Sequence, residues 1–283
     1  MIRSIRIGVV LILAVAGLCA QPSIAPGGVL NNGSYAKGSN GLGSPVAPGS
    51  VVAIFGSFNG VTLTSADTVP LSTNLGGVTV SFNGVLAPLY FTSSGQTNAE
   101  VPFEALPAGQ TSATVNVVVN VNGTLSAPEQ TTIVSTAPGV YTIPPNGQSN
   151  AIFIFVDPSD HVVKIAAPTS ASASIGYPTA PVPRGTGGFF YATGLGGLIP
   201  PVADGSGTCN ASTGLCQAVT PTVLVGGITA AVAFAGQAPG FPGINQVNMT
   251  IPQNAPTGNA VPLQIQTADG SFTTTAAATI AIQ

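Results

Sequence analysis

The fold is indicated most directly by one short run, Val78-Thr79-Val80-Ser81-Phe82-Asn83-Gly84-Val85. Apolar and polar residues alternate from Val78 to Phe82, which is the pattern of a strand with one buried face. Asn83 and Gly84 both tolerate positive φ, so they predict a tight hairpin turn. The stretch from Val85 to Phe91 is predicted to return as the partner strand.

Similar strands and turns recur on both sides of this hairpin. Val51 to Phe55 is a short apolar strand, and Thr114 to Val121 is a long β-branched run that ends at a second turn, Asn122-Gly123. Leu125 to Val134 is predicted as the last strand of this unit. Short strands at intervals of about 8–12 residues, separated by Gly, Pro and Asn, predict a β-sandwich.

The chain repeats itself internally. Gln96-Thr97-Asn98-Ala99-Glu100-Val101-Pro102 and Gln246-Val247-Asn248-Met249-Thr250-Ile251-Pro252 both fit the pattern Q-x-N-x-x-[VI]-P. Landmarks before and after each copy recur in the same order, so the sequence predicts a duplication. The amides Gln96, Asn98, Gln246 and Asn248 share one strand face in each copy. A structural role, satisfying backbone groups, and a duplicated ligand contact both remain open for them.

Domain limits follow from the repeat. We expect a signal peptide at 1–20, a first module at 21–137, a connecting hairpin and linker at 138–183, and a second module at 184–283. The expected hairpin runs from Ile152 to Ile165 around the turn Asp157-Pro158-Ser159-Asp160. The strands expected in the second module are Phe189–Ala192, Val223–Val225, Ala230–Phe234, Gln246–Ile251, Val261–Gln266 and Ala276–Ile282.

These landmarks resemble the uncharacterised C-terminal module of secreted acidobacterial proteins. The resemblance covers about Gly28 to Ile282 and implies two tandem immunoglobulin-like (IPT/TIG-like) β-sandwich modules, an all-β fold with no established activity. It rests on Gly28-Val29-Leu30-Asn31-Asn32-Gly33-Ser34-Tyr35, Pro45 to Gly56, Leu75 to Val80, Tyr191-Ala192-Thr193-Gly194-Leu195-Gly196, and Phe234 to Phe241 with Gln246-Val247-Asn248.

The first twenty residues predict export. Arg3 and Arg6 precede the apolar stretch Ile7 to Leu18, and Leu18-Cys19-Ala20 offers a cleavage site before Gln21. Lipid attachment at Cys19 is an alternative reading.

Two cysteines, Cys209 and Cys216, remain after cleavage and flank a short polar loop. In an exported protein, cysteines so close in sequence favour a disulfide over a metal site, which would need more ligands than the single His of this chain supplies.

Charge excludes several classes of partner. Charged residues make up only 5% of the chain, while hydrophobic residues make up 45%. The expected mature chain keeps three basic side chains (Lys37, Lys164 and Arg184) and eight acidic ones, hence a net charge of −5. Three scattered cations do not neutralise a phosphate backbone, so no nucleic-acid partner is expected. No transmembrane span is expected after signal cleavage, because Gly, Pro or Asn interrupts every later apolar run.

Catalytic chemistry has weak support in the sequence. His161 lies beside Asp157 and Asp160, but no G-x-S-x-G elbow accompanies it. Glu100 and Glu104 form another close acidic pair, and we expect them to be solvated acids at the edge of a loop. The turns at Asp157/Asp160, Asp204-Gly205-Ser206 and Asp269-Gly270-Ser271 lack the ligand density of a calcium loop, although calcium at one of them stays open. We therefore predict no enzyme activity, no catalytic residue, no metal site and no cofactor.

Two functions remain as hypotheses. The first is an exported binding or adhesion protein that recognises an extracellular glycan, an envelope component or another protein through a rigid β-sandwich. The second is a structural surface protein that self-associates, because its nearly uncharged surface offers little repulsion between copies. A secreted hydrolase is a remote third.

Overall fold

The computed structural model describes residues 21–38, 43, 45–209, 214–266, 270 and 278–283. The predicted signal peptide at 1–20 and the candidate calcium ligand Asp269 lie outside this range. Across the described ranges, no helix has the length and apolar character needed to span a membrane.

In the part of the first module that the structure describes, there are ten strands and one short 3₁₀ helix, at Phe103–Ala105. The strands are β1 (Ser23–Asn31), β2 (Val51–Ser57), β3 (Thr64–Ser65), β4 (Val78–Phe82), β5 (Val85–Leu86), β6 (Leu89–Thr92), β7 (Gln96–Glu100), β8 (Ser112–Val121), β9 (Thr124–Leu125) and β10 (Glu129–Val134).

These strands form two antiparallel sheets. One has the order β1-β2-β7-β6-β3, and the other has the order β10-β8-β4-β5 with β9 paired to β8. Taking β1, β2, β4, β6, β7, β8 and β10 as strands A to G, the two sheets read A-B-E-D and G-F-C. This is the strand arrangement of the immunoglobulin constant-type sandwich. The prediction of an immunoglobulin-like sandwich is confirmed for this module.

The core of the first module lies between these sheets. Ile54, Leu89 and Ala99 of the first sheet and Val80 and Phe82 of the second are all 0% exposed. Outward neighbours such as Thr79 and Ser81 are only half-buried, as the alternation from Val78 to Phe82 predicts.

Among its described residues, the second module has twelve strands, a 3₁₀ helix at Thr169–Ala171 and the short helix α1 (Ser172–Ile175). The strands are β11 (Gly139–Val140), β12 (Thr142–Ile143), β13 (Asn150–Ala151), β14 (Phe153–Val156), β15 (Val163–Ala166), β16 (Thr179–Ala180), β17 (Gly187–Thr193), β18 (Thr222–Val225), β19 (Ile228–Gln237), β20 (Asn245–Thr250), β21 (Gly258–Gln266) and β22 (Thr279–Ile282).

The second module repeats the arrangement of the first. Strands β14, β17 and β20 take the A, B and E places, and β18, β21 and β22 take the C, F and G places. Strand β19 belongs to both sheets, because Ile228 to Ala230 pair with β18 and Ala231 to Gln237 pair with β20. A second core lies between the two halves, with Phe153, Phe190, Leu263 and Ile280 among its most buried members.

The two modules also pair their equivalent strands in the same register. Asn98 pairs with Ala53 and Phe91 in the first module, and Asn248 pairs with Phe189 and Phe234 in the second. Each D strand has an irregularity at the same place, between Leu89 and Phe91 and between Val232 and Phe234.

The modules also share the hairpin between strand C and the strand that follows it, here called C′, which is β5 in the first module and Ile228 to Ala230 of β19 in the second. Asn83 and Gly84 have φ of 47° and 86°, and Gly226 and Gly227 have φ of 58° and 83°. Positive φ at both central residues is the geometry of a type I′ turn, so the hairpin predicted at Asn83-Gly84 is confirmed.

Two strand predictions were wrong. The last strand of the first module, predicted from Leu125 to Val134, is divided into β9 and β10, which both pair with β8. The stretch from Val85 to Phe91 is not one partner strand but two, β5 and β6, which lie in opposite sheets. The break falls at Ala87-Pro88, where proline supplies no N–H to a ladder. The corresponding place in β19 is Ala230-Ala231, and there the strand runs on from one sheet to the other.

The segment 138–183, expected to connect the modules, contributes strands to the sheets of the second module. The expected hairpin is present as β14 and β15, with Phe155 paired to Lys164. Strand β14 also pairs with β17, and β13 pairs with β22. The backbone N–H and C=O groups of these strands in segment 138–183 form hydrogen bonds within the second module. This segment therefore belongs to the second module, and the linker between the modules is short.

Candidate functional site

The repeated amides lie on the outer face of each A-B-E-D sheet. Thr97 and Ala99 of β7 are 0% exposed and point inward, so Gln96 and Asn98 point outward and are half-buried. Gln96 Nε2 donates a hydrogen bond to Asn98 Oδ1 at 2.7 Å. In the second module Gln246 Nε2 donates the same bond to Asn248 Oδ1 at 2.8 Å. The structure thus places both pairs at the surface, bonded side chain to side chain.

Aromatic rings flank the amide pair of the first module. Phe55 lies opposite Gln96 on the neighbouring strand β2, and Phe91 lies opposite Asn98 on β6. Directly opposed residues share one face of a sheet, with Cβ atoms about 4.5–5.5 Å apart. Both rings are half-buried, so part of each remains accessible. The amides therefore lie between two rings on an open surface.

The second module has the same arrangement with more rings. Tyr191 lies opposite Gln246, while Phe189 and Phe234 lie on either side of Asn248. The rings of Phe189 and Tyr191 meet edge to face, with centroids 5.6 Å apart. We call these two surfaces the amide–aromatic faces: Phe55, Phe91, Gln96 and Asn98 in the first module, and Phe189, Tyr191, Phe234, Gln246 and Asn248 in the second.

Each amide pair retains hydrogen-bonding capacity. The bond within the pair uses one N–H of Gln and the oxygen of Asn, which leaves Gln Oε1 as an acceptor and Asn Nδ2 as a donor. No other bond of these side chains occurs within the described ranges. An acceptor and a donor two residues apart on one strand face suit a ligand with neighbouring hydroxyl or amide groups.

A cavity adjoins the same position of each face. In the first module a cavity of about 390 Å³ is lined by Phe55, Tyr35, Lys37 and the irregular part of β1. In the second module a cavity of about 210 Å³ is lined by Tyr191, Tyr141, Ile152, Phe241 and Ile244. Phe55 and Tyr191 occupy equivalent places opposite Gln96 and Gln246, so each cavity includes the ring that faces the Gln of its amide pair.

Burial favours the protonated form of two phenols near these cavities, those of Tyr141 and Tyr35. Burial raises the pKa of Tyr141, and the nearby phenols of Tyr90 and Tyr35 raise it further, although Thr193 opposes the shift. Burial also raises the pKa of Tyr35. The cavities are therefore uncharged on this side, and Lys37 is the one charged side chain among the residues that line them.

His161 and its neighbours form a turn. Asp157 Oδ2 accepts a hydrogen bond from Lys164 Nζ at 2.8 Å, and Asp160 Oδ2 accepts one at 2.6 Å. The bond from Lys164, followed by those from Ser159, lowers the pKa of Asp157 to about 2. His161 has φ of 57° and donates its backbone N–H to Asp157 O. The acids are thus engaged by Lys164 across the hairpin.

The expectation that Glu100 is a solvated loop-edge acid was wrong. Glu100 is only 1% exposed, because the second module covers it, and its Oε2 accepts a hydrogen bond from the backbone N–H of Gly205. Burial raises the pKa of Glu100 to about 8, the bond from Gly205 opposes the shift, and the charge of Asp204 adds to it. Among the described residues, no group of three or more His, Cys, Asp and Glu side chains is arranged to hold a metal ion.

Cys209 and Cys216 form the predicted disulfide, with Cα atoms 5.5 Å apart. Residues 210–213 between them lie outside the described ranges. Cys216 is buried in the second core, and its carbonyl accepts the N–H of Gln237 at 3.0 Å. The disulfide therefore ties this loop to strand β19.

Comparisons with known proteins add little to this picture. No family model and no curated protein matches the sequence. A crystal structure of the I9–I11 tandem of titin is similar at 8% identity, covering 84% of this chain and 61% of the titin chain, with a TM-score of 0.19. The full extracellular region of plexin A4 is similar at 11% identity, covering 80% of this chain and 20% of the plexin chain, with a TM-score of 0.20.

This chain spans less than two thirds of either of these proteins. The assignment to the immunoglobulin-like class rests on the strand order and the two cores described above. The resemblance to the acidobacterial module rests on its sequence motifs.

Proposed function

We propose that this chain is an exported, non-catalytic binding protein whose ligand contacts the two amide–aromatic faces. The observation that carries the proposal is the recurrence, in both modules, of the same Gln-to-Asn hydrogen bond beside a half-exposed ring and a cavity. A fold alone requires neither the rings nor the amides at these outward positions, because they contribute nothing to the two cores. Export rests on the predicted signal peptide and on the Cys209–Cys216 disulfide, since disulfides persist in oxidising compartments.

The chemistry of the faces suits an uncharged glycan. Aromatic rings offer flat apolar surfaces on which the C–H faces of sugar rings stack, and the free amide groups match neighbouring hydroxyls. Lys37 is the one charged side chain among the residues that line the two cavities, so an acidic polymer would find at most one cation to pair with. We therefore expect neutral polysaccharides of the cell envelope to bind in preference to acidic ones.

A binding experiment with matched variants tests this proposal. The purified protein is passed through native gels that contain a neutral polysaccharide, with hydroxyethylcellulose, xylan, galactomannan and dextran as probes and alginate as the acidic comparison. We expect at least one neutral probe to retard the wild-type protein. Tyr191→Ala and Gln246→Ala should weaken this retardation, whereas Thr229→Ala, an exposed residue on the C′ part of β19, should leave it unchanged.

Two outcomes would contradict the proposal. Retardation of the wild-type protein by alginate alone would show that charge selects the ligand. Equal retardation of the Tyr191→Ala, Gln246→Ala and Thr229→Ala variants would place the contact outside the amide–aromatic faces.

Self-association is the second candidate function. It is favoured by the low content of charged residues, 5%, and by large apolar side chains that remain exposed, such as Leu63, Ile199 and Val219. Low charge density removes the repulsion that keeps copies apart. The two functions differ in the mass that they predict in solution, as set out below.

A further inference from the structure

Glu100 is an outward-facing residue that the second module buries. It follows Gln96 and Asn98 on the outer face of β7, yet it is 1% exposed whereas they are half-exposed. Its carboxylate accepts the backbone N–H of Gly205, a contact between modules. Gly243 packs against it from the same side, because a Cβ there would lie 3.3 Å from Glu100 Cγ. Glu100 therefore forms the centre of the module junction.

The groups around Glu100 are acidic or neutral. Asp204 Oδ1 accepts the backbone N–H of Phe103 at 3.0 Å, and Glu104 lies next to Asp204. The Tyr90 phenol also faces Glu100. The ion pairs in the described ranges are those of Lys164 with Asp157 and Asp160. Within these ranges, Glu100 therefore forms no ion pair with a basic side chain. A buried carboxylate with no cation is costly in its ionised form.

The second module's residues at the junction also line a cavity. Tyr90 donates its hydroxyl to Pro242 O at 2.6 Å, and Pro242 lies in the loop that continues through Gly243 to Ile244. Phe241 and Ile244 of this loop line the cavity beside Tyr191. This loop therefore lies between the acidic residues Glu100, Asp204 and Glu104 on one side and the candidate ligand site on the other.

We propose that Glu100 makes the contact between the modules depend on pH. When it is protonated, Glu100 carries no charge, so it stays buried between the modules, and Gly205 and the 241–244 loop pack against the first module. When it is ionised, its charge is buried without a cation and is repelled by Asp204, so the junction loosens and the loop beside Tyr191 is released. The loosening depends only on the junction, whereas its effect on ligand binding rests on the function proposed above.

The sign of the pH dependence follows from burial. Burial raises the pKa of Glu100 from its ordinary value of 4.5 to about 8, and burial with the neighbouring Glu104 raises that of Asp204 to about 6. A group whose pKa is higher in the folded state stabilises that state at low pH. The contribution of Glu100 is complete below about pH 4.5 and is lost as the pH rises through about 8.

Hydrogen exchange measured without any ligand tests the proposal. The amides of Gly205 and Leu71 report on the junction, because Gly205 N bonds Glu100 and Leu71 N bonds Gly205 O at 2.8 Å. Their exchange is followed by mass spectrometry at about pH 5, where Glu100 is protonated, and at about pH 9, where it is ionised. The measured rates are corrected for the intrinsic effect of pH on amide exchange. The variants are Glu100→Gln, which stays neutral, and Glu129→Gln as the matched control. Glu129 accepts a backbone N–H, that of Gly27 at 2.7 Å, but within the first module.

We expect the corrected exchange at Gly205 to be at least about tenfold faster at the higher pH in the wild-type protein, tenfold being the factor of one pKa unit. The Glu129→Gln variant should behave like the wild type, and Glu100→Gln should show little change between the two conditions. The proposal is overturned if the wild-type protein exchanges equally at both pH values, or if Glu100→Gln retains the full change. Because no ligand takes part, this result is independent of whether the amide–aromatic faces bind a glycan.

Discussion

At the scale of single residues, neighbours on one strand have opposite roles. Phe190 of β17 is 0% exposed in the second core, whereas Phe189 lies half-exposed on the outer face beside Tyr191. We expect Phe190→Ala to lower the free energy of unfolding by about 3–5 kcal/mol, because it leaves a cavity, and Phe189→Ala to lower it by about 1 kcal/mol or less. Chemical denaturation of the two variants measures this difference. Equal losses would contradict the register of β17.

The sequence predicted part of the candidate site at this scale. Gln96, Asn98, Gln246 and Asn248 were found because the motif recurs, and alternation placed each pair on one face. The flanking rings were harder to recognise. Phe55 and Tyr191 lie in a weak repeat of the B strand, and Phe91 and Phe234 were not singled out, because their place opposite the amides depends on cross-strand register. The alternation along a single strand does not reveal that register.

At the scale of elements, local turn chemistry was the most reliable guide. Asn83-Gly84 and Asn122-Gly123 both form turns with positive φ at each residue, as their composition predicts. The sequence analysis did not predict that the chain crosses from one sheet to the other at Pro88, because a continuous apolar run, Val85 to Phe91, extends across that residue. The second module shows the alternative, since β19 lacks a proline at that place and remains one strand.

The disulfide provides the prediction at this scale. Replacing both cysteines, Cys209→Ser with Cys216→Ser, should reduce stability by about 2–3 kcal/mol in the chain-entropy model for so short a loop. Thermal unfolding of the variant, and of the wild-type protein with and without reductant, measures the loss. The variant should show no response to reductant. A reductant effect that persists in the variant would mean that another group accounts for it.

At the scale of the whole molecule, the modules are joined by contacts between residues far apart in the sequence. Glu100 meets Gly205, Phe103 meets Asp204, and Tyr90 meets Pro242 across separations of more than a hundred residues. Sequence patterns identify which residues point away from a core, but they do not show which of these a neighbouring module will cover. The environment of Glu100 was mispredicted for this reason.

The mass in solution separates the two candidate functions. A binding protein of this kind should remain monomeric, so light scattering after size-exclusion chromatography should give one mass, no more than the 27.8 kDa of the full chain, at every concentration. Self-association would instead give a mass that climbs with concentration. A climbing mass would favour a surface assembly over the binding function.

The central claim, that the amide–aromatic faces bind the ligand, is tested most directly by nuclear magnetic resonance. The side-chain amide signals of Asn98 and Asn248 report on the two faces, because their Nδ2 groups are free to donate to a ligand. The labelled protein is titrated with fragments of the neutral polysaccharide that retards it in gels. The proposal predicts that both signals shift together with those of Gln96 and Gln246. Shifts confined to the loops, with these four side chains unmoved, would contradict it.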